Sequence, residues 1–320
     1  MALLVALAAG APGCSGGHSA LRTEGTGADR AAWLGWGMIA VASVITVGVL
    51  TAFVVGSLRD RPGVEDERRE RRWVIGGGIV MPAVVLSVLS GLTVATLRAQ
   101  DTSARRTRLR IEVTGYQYWW AVRYPSNGAV TANEIHVPVG TAVDVDLRSR
   151  DVIHSLWVPS LAGKTDLIPG QVNHMVLQAR RAGRYRGQCA EFCGAQHANM
   201  AFVVVAEPPA TFDRWRRAQA RTAAEPRNAQ AQEGRRILLA QPCAACHTIR
   251  GTSARGTVGP DLTHVASRQR IAAGTLANDT ASLTRWVRNA QEVKPGALMP
   301  PIDLTPGEVR SIVAYLRELR

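Results

Sequence analysis

Two stretches of this 320-residue chain, Ala31 to Leu58 and Trp73 to Leu97, carry no charged side chain. Each exceeds the roughly 20 apolar residues that a helix needs to cross a bilayer core. Buried helices of soluble cores rarely run so far without a polar face. Both are therefore predicted to be transmembrane helices, and Trp33, Trp36 and Trp73 near their ends suit an interfacial aromatic belt. The loop from Arg59 to Arg72 holds six Arg and the stretch from Arg98 to Arg110 holds five, so charge bias barely orients the hairpin. The formal net charge of +13 comes almost wholly from Arg, Lys164 and Lys294 being the only lysines. Much of it flanks the membrane helices, and no basic stretch is interleaved with stacking aromatics. Membrane lipid is the expected partner of this charge, and nucleic acid is excluded.

Ahead of the first helix, MALLVALAAGAPG is apolar and ends in small residues. Residues 1–30 are read as a signal or lipoprotein leader with Cys14 as a candidate lipidation site, a mis-assigned start or unprocessed leader being the alternative. The hairpin occupies 31–98. Beyond it the pattern alternates, in RLRIEVTGYQYWWAVRY, TAVDVDLRS, NHMVLQA and MAFVVVAE, which are read as strands of an all-β domain over 105–208. Residues 209–228 are assigned to a linker, with a short polar helix at Thr211 to Arg221 and the Ala-, Gln- and Glu-rich AAEPRNAQAQEG after it. Residues 229–320 form an all-α domain whose segments EGRRILLAQ, DTASLTRWVRNAQ and TPGEVRSIVAYLREL have helical apolar spacing, the last two with Thr or Asp as N-caps.

The stretch CAEFCGAQHANM places Cys189, Cys193, His197 and Met200 close together. Soft thiolate and thioether donors with imidazole select copper of the electron-transfer kind. Zinc is the competitor, accepting two Cys and two His but gaining nothing from Met200. A second imidazole is needed from elsewhere. His154, in DVIHSLWVPS, is the favoured candidate; His136 and His174, inside alternating strands, suit satisfied or surface roles better.

The pattern C-x-E-x-C-x3-H-x2-M with the upstream HSLWVPSLAGKTDLIPG resembles the CuA domain of cytochrome c oxidase subunit II, over roughly Ala31 to Glu207. The resemblance implies a cupredoxin-like Greek-key barrel on a two-helix membrane hairpin. It also implies a binuclear copper centre: Cys189 and Cys193 bridge two ions, His154 and His197 bind one each, and Met200 and the Glu191 carbonyl are weak outer ligands. The Glu191 side chain is implied at a magnesium site shared with subunit I, near Asp166. In place of the family's usual Gly-His-Gln-Trp-Tyr-Trp stands GYQYWW, which puts Tyr118 where a tryptophan commonly receives electrons from soluble cytochrome c. Glu70 resembles a glutamate at a proton-channel entrance, but Pro82 comes late for that alignment and a solvated charge is the preferred reading. The segment Arg105 to Pro208 has twelve Arg plus Lys against eight Asp plus Glu, giving no acidic field to steer a basic donor.

CAACH, Cys243 to His247, is the c-type haem attachment motif, in which two thiols bind the haem covalently and His247 ligates iron. Downstream, GALMPP offers Met299 as the second axial ligand, with His264 as the alternative; Trp286 is read as core. This segment resembles a small class I cytochrome c. Haem attachment takes place outside the cytoplasm, which orients both termini outward from a bacterial inner membrane. Together these features predict the electron-input subunit of a proton-translocating cytochrome c oxidase. Electrons would pass from haem c to CuA and on to subunit I, where oxygen is reduced. Subunits I and III and an upstream donor such as a cytochrome bc complex or another cytochrome c are the expected partners. A CuA-containing nitric oxide reductase subunit and a free-standing membrane-anchored carrier are the alternatives.

Overall fold

The computed structural model describes residues 18–59, 67–104 and 109–320; Cys14 and most of the expected leader lie outside the described residues. The chain forms two compact units, Asp29–Ser103 and the remainder.

In the first unit, helix α1 (Thr26–Leu58) starts five residues before the charge-free run. The second rod comprises α2 (Glu67–Ile75), a π-helical turn (Gly76–Val80) and α3 (Met81–Ala104). Pro82 explains the turn: its ring crowds the carbonyl four residues back. Gly76 to Gly78 let the ladder widen, so that the Met81 amide donates to the Gly76 carbonyl. The most apolar 18-residue window of α1 has a mean hydropathy of 2.5 and that of the second rod 2.1, and neither window is buried, as suits helices facing lipid. Arg30 Nη1 donates to the Ala99 carbonyl at 3.0 Å, tying the start of α1 to α3. Glu70 sits on exposed α2 among arginines.

The all-β domain packs two five-stranded sheets face to face, β3-β2-β1-β5-β8 and β4-β10-β9-β6-β7. The strands are β1 (Leu109–Tyr116), β2 (Trp119–Tyr124), β3 (Ala129–Ala132), β4 (Glu134–Pro138) and β5 (Val143–Ser149), then β6 (His154–Val158), β7 (Ala162–Leu167), β8 (Asn173–Leu177), β9 (Gly183–Cys189) and β10 (Ala201–Glu207). Parallel pairing of β1 with β5 and of β4 with β10 sets this cupredoxin-like sandwich apart from a simple meander. Alternating residues such as Ile111, Val113, Val145 and Leu147 fill the space between the sheets. One expectation changes. RLRIEVTGYQYWWAVRY is a hairpin, with Tyr116 paired to Trp119 and Gln117 and Tyr118 at its tip. Its alternation continues on both sides of the turn, and neither tip residue is a turn former, so the pattern hides the reversal.

Helix α4 (Pro209–Gln219) leads into the connection to the all-α domain. That connection is bonded along its length rather than loose. Ala223 N donates to Arg250 O at 2.9 Å, and Arg227 N and Asn228 Nδ2 each donate to the Glu318 carboxylate at 2.7 Å. Asn228 then caps α5 (Ala229–Ala240), so AQAQEG is helical. The domain continues through α6 (Cys243–Cys246), the ribbon β11 (Arg270–Ile271) and β12 (Leu276–Ala277), α7 (Thr280–Arg288), α8 (Ala290–Val293) and α9 (Pro306–Glu318). Asp279 caps α7, and Thr305 with Glu308 forms a capping box at α9. Ile237 and Leu238 of α5 pack with Val309, Ile312 and Leu316 of α9 in a core of their own.

Candidate functional site

The end of β9, the loop after it and the start of β6 bring the expected donor groups to one point. Cys189 Sγ lies 3.8 Å from Cys193 Sγ, 3.8 Å from His154 Nδ1 and 3.3 Å from the Glu191 carbonyl oxygen. Cys193 Sγ lies 3.6 Å from His197 Nδ1 and 3.7 Å from Met200 Sδ. His154, Cys189, Cys193 and Met200 are buried, His197 half-buried. The His154 ring fits because Gly115 of β1 leaves room: a Cβ there would stand 2.7 Å from His154 Cδ2. Asp151 Oδ1 sits 2.8 Å from His154 Nε2, so Nε2–H donates to the carboxylate and Nδ1 is turned toward the sulfurs.

The two thiols resist ionising together. Cys189 is pulled down, first by its hydrogen bond from Cys193 and against its burial, while Cys193 is pushed up by the same neighbour and by burial. His154 ends above its ordinary range because the hydrogen bonds of Asp151 and Cys189 outweigh its burial. A dithiolate here needs cationic charge, and metal ions supply it. The donor set fits copper. The buried thioether of Met200, turned to the thiols, is a ligand that zinc would not use.

The all-α domain contains an apolar cavity lined by Cys243, Cys246, His247 and Met299. His247 Nδ1 donates to the Pro260 carbonyl at 2.8 Å, and burial holds its pKa below the ordinary histidine range, so the ring is neutral with Nε2 as its lone-pair nitrogen. Gln291 Nε2 donates to the Ala297 and Met299 carbonyls, both at 2.7 Å, fixing the Met299 segment. His264 is placed elsewhere, with Nε2 3.1 Å from the Arg221 carbonyl, and Trp286 packs on the core. This apolar, imidazole- and thioether-lined space fits a haem. The cupredoxin domain closes part of it, through Gln117, Tyr118 and Trp119.

Other candidates have partners of their own. His136 lies between Glu207 at 3.1 Å and Glu134 at 3.6 Å, stacked on Trp215, and His174 is 2.9 Å from Asp146. Asp144, Asp146 and His174 cluster, but Arg110 stands 3.6 Å and 3.7 Å from the two carboxylates. Lys164 lies 3.2 Å from Glu191 and 3.8 Å from Asp166, occupying the space between the two carboxylates implied at a magnesium site. Sequence reasoning missed Asp151, Gln117 and Lys294. The Asp151–His154 spacing was a usable signal for a carboxylate–imidazole pair; the other two carried none. Gln117 Nε2 donates to the Cys193 carbonyl at 2.6 Å. Lys294 is 2% exposed, and burial lowers its ammonium to about 8 against the pull of Cys193.

Fold and sites define a membrane-anchored electron-transfer chain that joins a copper-binding cupredoxin domain to a haem-binding cytochrome domain. Residues 127–207 match the family model for cytochrome c oxidase subunit II, periplasmic domain, and residues 231–320 match that for cytochrome c. Cytochrome c oxidase subunit 2 of Alkalihalophilus pseudofirmus is 30% identical over 322 residues, covering 96% of this chain and 93% of that relative. The chain belongs to the cytochrome c oxidase subunit 2 family. The subunit of Thermostichus vulcanus is 42% identical over 117 residues, which is 37% of this chain and 35% of the relative. The crystal structure of the periplasmic domain of subunit II of cytochrome oxidase from Bradyrhizobium japonicum is 30% identical, covers 36% of this chain and 94% of that one, and has a TM-score of 0.35. The chain is thus subunit II of a haem-copper oxidase, an oxidoreductase complex in which subunit I is its partner, with its two domains outside the cytoplasm.

Proposed function

We propose that this chain is the electron-input subunit of its oxidase, receiving electrons in the cytochrome domain, handing them to the cupredoxin domain and delivering them to subunit I, with proton translocation carried out by the complex. Bound haem and a binuclear copper centre supply the one-electron redox chemistry. Cys189, Cys193, His154, His197, Met200 and the Glu191 carbonyl would hold the copper. Cys243 and Cys246 would attach the haem, and His247 and Met299 would ligate its iron. Domain limits follow the same reading: hairpin 31–98, cupredoxin domain 105–208, linker 209–228 and cytochrome domain 229–320. A magnesium ion at Glu191 would have to displace Lys164 and draw its other ligands from subunit I. The membrane is the bacterial inner membrane; subunit III and a cytochrome bc complex or another cytochrome c complete the partners.

A single observation carries the direction of transfer. Tyr118 is 8% exposed, and it lines the cavity of CAACH together with Gln117 and Trp119. The hairpin tip at which a soluble donor would dock is therefore covered by the chain's own cytochrome domain. Gln117 then connects that tip to Cys193. The expected result in the purified, cofactor-loaded chain is that photoreduction of the haem is followed by loss of the oxidised copper absorption at a rate independent of protein concentration. A concentration-dependent rate would assign the donor role to a separate molecule.

A further inference from the structure

Of the two lysines, Lys164 is half exposed and Lys294 is buried. Lys294 belongs to the cytochrome domain, directly after α8, yet its ammonium leaves that domain. Nζ donates to the Tyr118 carbonyl at 2.9 Å and to the Asn199 carbonyl at 2.9 Å, and reaches back to the Ala272 carbonyl at 3.4 Å. It also stands 5.9 Å from the Tyr118 ring centroid. All three acceptors are neutral, which makes this a costly place for an ammonium unless the position serves a purpose.

Two of the acceptors lie at the copper loop. Tyr118 follows Gln117, which holds the Cys193 carbonyl, and Asn199 precedes Met200, whose sulfur faces Cys193. Around Lys294 the seat is closed by Gln196 Nε2 donating to Pro295 O at 2.9 Å, Ala201 N to Ala273 O at 3.0 Å, and Gln269 N to Glu134 Oε1 at 3.0 Å. Every one of these bonds joins the two domains.

We propose that Lys294 is a positioning residue for electron passage: it seats the cytochrome domain on the copper loop in one orientation and places a positive charge at that loop. The proposal rests on the electron-input reading above. In the step concerned, one electron leaves ferrous haem, which becomes ferric, and enters the oxidised copper pair, which becomes one-electron reduced; no bond or proton is exchanged. A fixed seat sets the distance the electron must cover. A neighbouring cation favours the less positive, reduced state of the copper site and so raises its potential.

The test uses the full chain with Lys294→Met and Lys294→Arg. In cofactor-free protein, amide hydrogen exchange at Tyr118, Trp119 and Ala201 is expected to accelerate in the Met variant. In loaded protein, the Met variant is expected to show a lower copper potential, an unchanged haem potential and transfer slowed roughly tenfold or more. Lys294→Arg, which keeps charge and donors, is expected to restore the potential and most of the rate. Wild-type exchange, potential and rate in the Met variant would overturn the proposal, as would an Arg variant as impaired as Met. If the Met variant does not load copper, exchange in the cofactor-free chains decides, and unchanged protection sinks the idea. A wild-type chain in which the haem is reduced and copper never follows would instead remove the electron-input reading, and this proposal with it.

Discussion

Asp151 is a small residue with large leverage. It contacts no sulfur, yet its carboxylate holds His154 Nε2 at 2.8 Å and accepts from the Gln117 amide at 2.7 Å, which couples the ring to the hairpin tip. Asp151→Ala is expected to weaken copper binding about 10–100-fold in chelator competition while leaving the melting profile of the cytochrome domain unchanged. Equal affinity would mean that packing alone orients His154. His136 yields a pH prediction. Burial opposes its charge, but its hydrogen bonds to the Glu134 and Glu207 carboxylates and their charges outweigh burial, so its pKa is raised above 6.5; Glu134 is lowered from 4.5 despite its own burial. A raised histidine stabilises below its unfolded value and loses that stabilisation as pH climbs through the folded one. A lowered carboxylate stabilises above its unfolded value and loses that as pH falls. The network is therefore strongest between pH 4.5 and 6.5. The Tm difference between wild type and His136→Gln should narrow as the solution is made alkaline; a constant gap would show that the ring is held neutral. Ligand-type residues were legible because soft donors at short spacing are rare, whereas Gln117 and Lys294 act through bonds that only the fold creates.

Helices and strands repeat that lesson. The membrane rods, most strands and the capped helices α7 and α9 follow from apolar spacing and cap chemistry. The β1–β2 reversal did not, because alternation alone registers which face a residue takes and not whether the chain turns back. The contact between α5 and α9 likewise depends on a residue with no apolar signal. A Cβ on Gly234 would collide with the Ser311 backbone carbonyl, so these helices touch along their main chains. Gly234→Ala gains about 1 kcal/mol in helix propensity but should lose about 1–3 kcal/mol or more to overpacking. A net fall in the Tm of the cytochrome domain is expected, with copper binding retained. A raised Tm would place the two helices further apart than the structure has them.

For the molecule as a whole, the sequence marks a linker between the two outer domains but carries no sign of how they meet. The structure supplies a seat. Residues between α4 and α5 are bonded to Arg250 and Glu318, and the domains share the buried contacts of Lys294, Gln196 and Glu134. Docking of this kind is little screened by salt, unlike attraction between exposed surfaces. Haem-to-copper transfer within the chain should therefore keep its rate from low salt to about 0.5 M, where exposed charge pairs are heavily screened. A steep decline would reveal a loosely held, electrostatically guided partner. The shared cavity also bears on biogenesis. Because Tyr118 and Trp119 of one domain line part of a space that opens on Cys243 and His247 of the other, a cargo installed before the halves meet would find a wider entrance than one installed afterwards.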